Sequence, residues 1–178
     1  MRFVALDFET TGVVRGLPSE PWQLGVVEVV DGVPRAETKW ETLFHIPGDR
    51  PFSPQAPGRW AERRGELAEA PEFMDMWGEM CERLLGVPLV AHNAATERTI
   101  LTKRAPLTKF GPWIDTLAIS RRLYPGMRSY ALGDLVAASG LRRDVDALCP
   151  GRDWHDALYD ACAGAVLAAF LQSKGVLG

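Results

Sequence analysis

The sequence predicts an α/β domain in which helices cover a mixed sheet, on three observations. Apolar, β-rich runs open the chain, helical and strand patterns alternate after them, and an alanine-rich helix closes it. The 178 residues suit a single globular domain spanning 1–178. Twenty basic against 23 acidic residues give a charge of −3, and 47% of the chain is hydrophobic. That composition excludes disorder and argues against a domain that coats nucleic acid through bulk positive charge. A polyanionic partner has to be held by something local.

Taken in order, Arg2 to Phe8 is nearly all apolar and bounded by Thr10-Thr11-Gly12, the pattern of a strand buried on both faces. Leu24–Val30 and Thr38–Ile46 are β-rich, with Asp31-Gly32 as a turn signal after the first. Pro47 to Pro57 carries four prolines in 11 residues and reads as a connector. Ala70–Leu85 reads as a helix: Pro71 stands near its start, Phe73, Met76, Trp77, Met80 and Leu84 recur at helical spacing, and Gly86 stops it. Val87–Ala91 follows as a short buried strand and Asn93–Ala105 as a helix. Trp113–Asp115 is a further strand, and Asp115 or Thr116 caps a helix through Arg122. Tyr130–Ser139 and Asp156–Lys174 are helical.

Cys81, Cys149 and Cys162 are odd in number and show no paired spacing, as expected of buried thiols in a reducing, cytoplasmic setting. The N-terminus offers no small-residue cleavage site. The longest apolar stretch, Ala161–Leu171, is too short to span a membrane, so no membrane association is expected.

The chemistry lies in carboxylates placed where apolar residues belong. Asp7 and Glu9 sit two apart at the end of the first strand and leave the same face. Asp160 interrupts the stripe Ala157, Ala161, Gly164, Leu167 and Leu171 of the last helix. Glu97 is in register with Ile100, Leu101 and Ala105 and points inward. Blander roles remain open for each: a solvated strand end for Asp7 and Glu9, and a first-turn acid favoured by the helix dipole for Glu97. His155, at the start of the last helix, could equally be a cap or a surface residue. Four carboxylates without cysteine suit hard cations such as Mg2+ or Mn2+. Two such ions about 4 Å apart can clamp the attacking and leaving oxygens of a phosphoryl transfer, and a histidine beside them could take the proton of the attacking water.

These residues resemble the DEDD superfamily of 3′-to-5′ exonucleases, in its histidine-containing branch, which includes polymerase proofreading subunits. Asp7-Phe8-Glu9-Thr10-Thr11-Gly12 is similar to its first motif, Ala91-His92-Asn93-Ala94 to its second, and His155-x-Ala157-x-x-Asp160 to its third. Pro51–Ala56, Trp113-Ile114-x-Thr116 and Arg122–Gly126 add likeness to exonuclease X-like members. The resemblance implies a ribonuclease H-like fold with a central five-stranded mixed sheet. It also implies a site in which Asp7 bridges two ions, Glu9 and Asp160 hold the ion that activates water, and His155 is the general base. Thr10, Thr11, Gly12 and Val13, with His92 and Asn93 of the second motif, would bind substrate. Two departures stand out. The family usually has a phenylalanine and an aspartate where this chain has Thr96 and Glu97, and a histidine, glycine and isoleucine where it has Arg59 to Arg64.

The expected function is thus a metal-dependent 3′-to-5′ exonuclease with two Mg2+ or Mn2+ ions held by Asp7, Glu9, Glu97 and Asp160. It would act on single-stranded or frayed DNA or RNA 3′ ends, with DNA favoured, and release nucleoside 5′-monophosphates. Association with a polymerase is a further candidate. Two alternatives stand beside it: a catalytically weakened module that binds nucleic-acid ends or a polymerase, and a short-oligonucleotide phosphodiesterase. Arg59, Arg63, Arg64, Arg98, Lys103, Arg104, Arg121, Arg122 and Arg128 are either a backbone track or a solvated face.

Overall fold

A computed structural model describes residues 1–177. Its sheet has strand order β3-β2-β1-β5-β6, from β1 (Arg2–Thr10), β2 (Pro21–Val30), β3 (Val33–Pro34), β4 (Trp40–Leu43), β5 (Leu89–Ala91) and β6 (Trp113–Asp115). β1 and β2 are antiparallel, whereas β1, β5 and β6 run parallel, so the sheet is mixed as expected. β3 faces Val29–Val30 and β4 faces Gln23–Val26 of the same strand. Six strand segments therefore fill five positions, the outer position being broken by a 3-10 turn at Ala36–Thr38. Thr38 leaves the expected strand because its hydroxyl accepts from Glu28 N–H and donates to the Arg35 carbonyl, closing that turn.

Alternation along β1 sorts the two cores. Phe3 and Ala5 pack with Val27 and Val29 against one layer, and Val4, Leu6 and Phe8 pack with Leu24 and Val26 against the other. The second layer contains α2 (Trp77–Leu84) and α3 (Ala95–Arg104), while α1 (Arg64–Glu69) packs Leu67 into a smaller cluster with Trp22, Ile46 and Phe52. The first is built on α7 (Ala157–Ser173), with α4 (Thr116–Leu123), α5 (Leu132–Ala138) and α6 (Arg142–Leu148) around it. Lying between the sheet and α5 and α6, α7 is buried at every position from Ala157 to Ala168 except the half-buried Asp160, which explains why its sequence is otherwise apolar all round.

Four helices depart from the sequence reading. The helix expected over 70–85 begins only at Trp77, because the Pro71 carbonyl instead receives His45 N–H and ties the end of β4. The helix expected from Tyr130 begins at Leu132, since Tyr130 is held in the preceding loop by its hydroxyl on the Tyr124 carbonyl. Helices α1 and α6 were not expected; each buries one residue, Leu67 and Val145, which leaves no periodicity to read. Cys149 and Cys162 are buried thiols, whereas Cys81 is only half-buried.

One contact sets how α7 meets the sheet. A Cβ on Gly25 would lie 2.2 Å from the Ala157 carbonyl oxygen and 2.3 Å from Leu158 Cα, so the first turn of α7 rests directly on the β2 backbone. Gly25 is paired with Asp7. Gly25→Ala should therefore destabilise the fold by about 1–3 kcal/mol, because both sides of the clash are backbone and cannot turn away. Gly164→Ala, where a Cβ meets nothing within 4 Å, should leave the denaturation midpoint unchanged or raise it. Equal midpoints for the two variants in urea melts would contradict this packing.

Candidate active site

Asp7 and Glu9 continue the Phe3-Ala5 stripe of β1, so they emerge on the face that carries α7. Asp160 lies in the first turn of α7, whose N-cap Asp156 accepts from Leu158 N–H (3.1 Å) and Tyr159 N–H (3.2 Å). Glu97, in the first turn of α3, is 3% exposed, which settles its orientation as inward. Its charge, with those of Asp160 and Glu9, raises the Asp7 pKa, so all four carboxylates share one electrostatic environment.

Taken by themselves, these carboxylates oppose one another's ionisation. Burial, then Asp160 and Asp156, lift the Glu9 carboxyl to about 8. Burial and then Asp115 lift Glu97 to about 8, and burial followed by Asp156 and Asp153 lifts Asp160 to about 7. Asp7 is pushed well above the usual carboxylate range, first by burial and then by Asp160, Glu97 and Glu9. Two oxygens here, Glu97 Oε2 and Asp160 Oδ1, are buried without a hydrogen-bond partner. A divalent cation suits this set: it would complete the orphaned oxygens and neutralise the like charges, and an all-oxygen carboxylate donor set favours Mg2+ or Mn2+. Glu9, His155 and Asp160 also offer ligand atoms within 4.8 Å of one another.

His155 is exposed at the rim in a left-handed conformation, φ +63°, with its backbone N–H donating to Asp160 Oδ2 at 3.1 Å. The backbone there is strained, and a network behind it holds it. Gln23, paired with Glu9 across β1 and β2, accepts from Ala157 N–H (3.1 Å) and donates to Glu41 (2.8 Å). Arg152 bridges Glu41 and the capping Asp156. No sequence pattern marked Gln23, Glu41 or Arg152, since the Gln23–Ala157 and Glu41–Arg152 pairings each span more than 100 residues. Gly25 likewise bore no signal.

The expected substrate residues divide into two sets. Thr10 is half-buried at the end of β1, and Val13 is 76% exposed in the loop after it. Thr11 is fully buried, with its hydroxyl accepting from Glu20 N–H (3.0 Å) and donating to the Gly12 carbonyl (3.2 Å), so it shapes the loop from behind. Gly12, at φ +66°, is pressed against Ser53, where a Cβ would approach Ser53 Cβ to 2.6 Å. His92 uses both ring nitrogens inside the protein: Nε2 donates to the Tyr130 carbonyl (2.8 Å) and Nδ1 accepts from the Thr116 hydroxyl (2.9 Å). Burial holds its pKa below the ordinary imidazole value, so it serves as a neutral tether between β5 and α4. Asn93 is exposed at φ +72°, its N–H held by Asp115 Oδ1 (3.2 Å), which also caps α4 through Leu117 and Ala118 N–H.

Comparison with known proteins agrees with this architecture. Residues 4–167 match the RNase T family model, described as exonuclease, and the chain belongs to that family. It is 29% identical over 176 residues to DNA polymerase III subunit epsilon of Escherichia coli, covering 90% of this chain and 67% of that protein. Exodeoxyribonuclease 10 of the same organism is 30% identical over 163 residues, covering 91% of this chain and 64% of that one. The chain thus spans about two thirds of the length of these relatives. The fold matches the nuclease domain of 3′hExo, a DEDDh family member solved bound to rAMP, with a TM-score of 0.74 at 19% identity over 98% of this chain and 93% of that one.

The folded-state pKa values of Glu9, Glu97 and Asp160 lie above their ordinary values of 4.5, 4.5 and 3.8. The folded protein therefore binds more protons than the unfolded chain between about pH 4 and about pH 8, and its metal-free stability falls as pH rises through that window. Melting curves in chelator should show a lower midpoint at about pH 8 than at about pH 5, with Mg2+ or Mn2+ restoring most of the difference. A midpoint that rises with pH in chelator would contradict the cluster.

Proposed function

We propose that the protein is a metal-dependent 3′-to-5′ exonuclease that removes nucleoside 5′-monophosphates from single-stranded or frayed 3′ ends, with DNA as the favoured substrate. The observation that carries this reading is the convergence of Asp7, Glu9, Glu97 and Asp160, with two orphaned carboxylate oxygens, beside an exposed imidazole. The names of the relatives, a polymerase III subunit and an exodeoxyribonuclease, support DNA. No helix is long and apolar enough to cross a membrane among the described residues.

In this reading Asp7, Glu9, Glu97 and Asp160 would hold the divalent ions, with Glu9 and Asp160 on the side of His155 and Glu97 on the other, and Asp7 serving both. Bound ions supply Lewis-acid stabilisation of the attacking and leaving oxygens. His155 takes the proton of the attacking water; its strained backbone, tied to Asp160, fixes where the imidazole stands. Thr10, Gly12, Val13 and Asn93 line the place of the terminal nucleotide, and the exposed Val13 side chain suits the face of a base. Thr11 and His92 hold that wall from inside. A single strand fits because only a free end can bring its last phosphodiester down to carboxylates at the ends of β1, α3 and α7.

The test uses a 3′-labelled single-stranded oligonucleotide with Mg2+ or Mn2+. Wild-type protein should shorten it to monophosphates, chelator should stop the reaction, and Asp7→Asn should lower kcat by about 100- to 1,000-fold, as loss of electrostatic stabilisation of developing charge does. Glu97→Ala should abolish metal-dependent cleavage while Glu97→Asp retains or raises it. Equal rates for wild type, Glu97→Ala and Glu97→Asp would remove Glu97 from the site.

A further inference from the structure

The connector after β4 comes down onto the cluster at one residue. Gly58, at φ +92°, has no room for a side chain: a Cβ would lie 2.9 Å from the Trp22 ring, 3.0 Å from the His155 carbonyl oxygen and 3.5 Å from Glu9 Oε2. The backbone at this point touches both Glu9 and the His155 loop, and the next residue, Arg59, is exposed beside them. A polar cavity of about 90 Å³ opens here, with Trp22, Arg59, Arg63, Arg152 and His155 in its wall. Trp22 is 1% exposed, and its indole N–H has no partner.

Three guanidinium groups reach this cavity, and two are committed. Arg63 pairs with Glu41 (3.0 Å) and Glu66 (3.0 Å), and Arg152 pairs with Glu41 and Asp156. Arg59 has no carboxylate within 4.0 Å among the described residues. Asp153 and Asp156 line the same cavity; besides the Trp154 N–H and Arg142, the charge of Arg59 helps to hold Asp153 below the usual carboxylate range, and Glu9 lies beside Gly58, the residue before Arg59. A phosphate lying over Glu9 and Asp160 would turn at least one oxygen away from any ion they hold. A guanidinium at that mouth matches such an oxygen in charge and geometry.

Resting on the exonuclease reading above, we infer that Arg59 binds the 5′-phosphate of the 3′-terminal nucleotide and so sets the affinity of the site for phosphate-bearing ends. Arg59 is thereby distinct from the other basic residues of the surface: it grips the phosphate being transferred and not the upstream strand. Lysine in its place keeps the charge but loses the paired donors.

Calorimetric titration in Mg2+ tests this with thymidine 5′-monophosphate and thymidine as the two probes, alongside oligonucleotide cleavage by the same preparations. Arg59→Ala should weaken monophosphate binding about tenfold or more, as loss of a hydrogen bond between charged groups does, and leave thymidine binding unchanged. Arg59→Lys should fall between. Because Arg59 is exposed and its charged neighbour Asp153 is solvent-screened and beyond 4.0 Å, the melting midpoints of all three proteins should agree within about 2 °C. Equal monophosphate affinity in wild type and Arg59→Ala, with wild type cleaving oligonucleotide, overturns the role of Arg59 alone. Parallel loss of thymidine binding also overturns it, since that would mark a general disturbance of the pocket. Wild-type protein that neither cleaves oligonucleotide nor binds monophosphate overturns both readings.

Discussion

Mutual repulsion among buried carboxylates is the constraint around which this molecule is arranged. Asp7, Glu9, Glu97 and Asp160 are drawn together from β1, α3 and α7, with Asp115 and Asp156 close behind. In a metal-free protein that gathering opposes folding, since each charge is desolvated and faces like charges. It persists because each carboxylate stands on a regular element whose position is fixed by apolar packing elsewhere. The stripe that ends in Asp7 and Glu9 begins with Phe3 and Ala5, both essentially inaccessible to water. Asp160 belongs to a helix buried over most of its length.

Two devices bring those elements close enough. Gly25, opposite Asp7, lets the first turn of α7 lie on bare backbone, so that Asp160 is carried up to the β1 face. The chain of Gln23, Glu41, Arg152 and Asp156 then fixes the segment entering α7, which holds His155 in a conformation it would not choose alone. On the other side, Asp115 joins Asn93 to the start of α4, and His92 joins β5 to Tyr130. The loops around the carboxylate cluster are thus fastened by polar groups whose hydrogen bonds are made inside the protein.

Much of this could be read from the sequence. Asp7 with Glu9, Glu97 and Asp160 were visible because each breaks an apolar period, and period is the signal that strands and long helices transmit most clearly. The mixed sheet followed from the order of elements. Short elements were the weak point: α1 and α6 bury one residue each, and the outer strand divides in two because Thr38 satisfies backbone groups that a continuous ladder would have used. What holds the site together was illegible for a different reason. Gln23 with Ala157, and Glu41 with Arg152, are pairings across more than a hundred residues, and nothing local distinguishes those side chains from surface polar residues. The opening charge of −3 also reads differently now. Removing the four clustered acids from the sum leaves +1 on the remainder, so the acidic balance of the chain resides largely in one site that divalent cations would neutralise.

The most direct test of that account is anomalous diffraction from crystals of the protein grown with Mn2+ and a nucleoside 5′-monophosphate. The account predicts two anomalous peaks about 4 Å apart, both touching Asp7, one shared with Glu9 and Asp160 and the other on the Glu97 side. Crystals that bind the monophosphate with no manganese among these carboxylates, or with a lone ion that Asp7 does not touch, would contradict it.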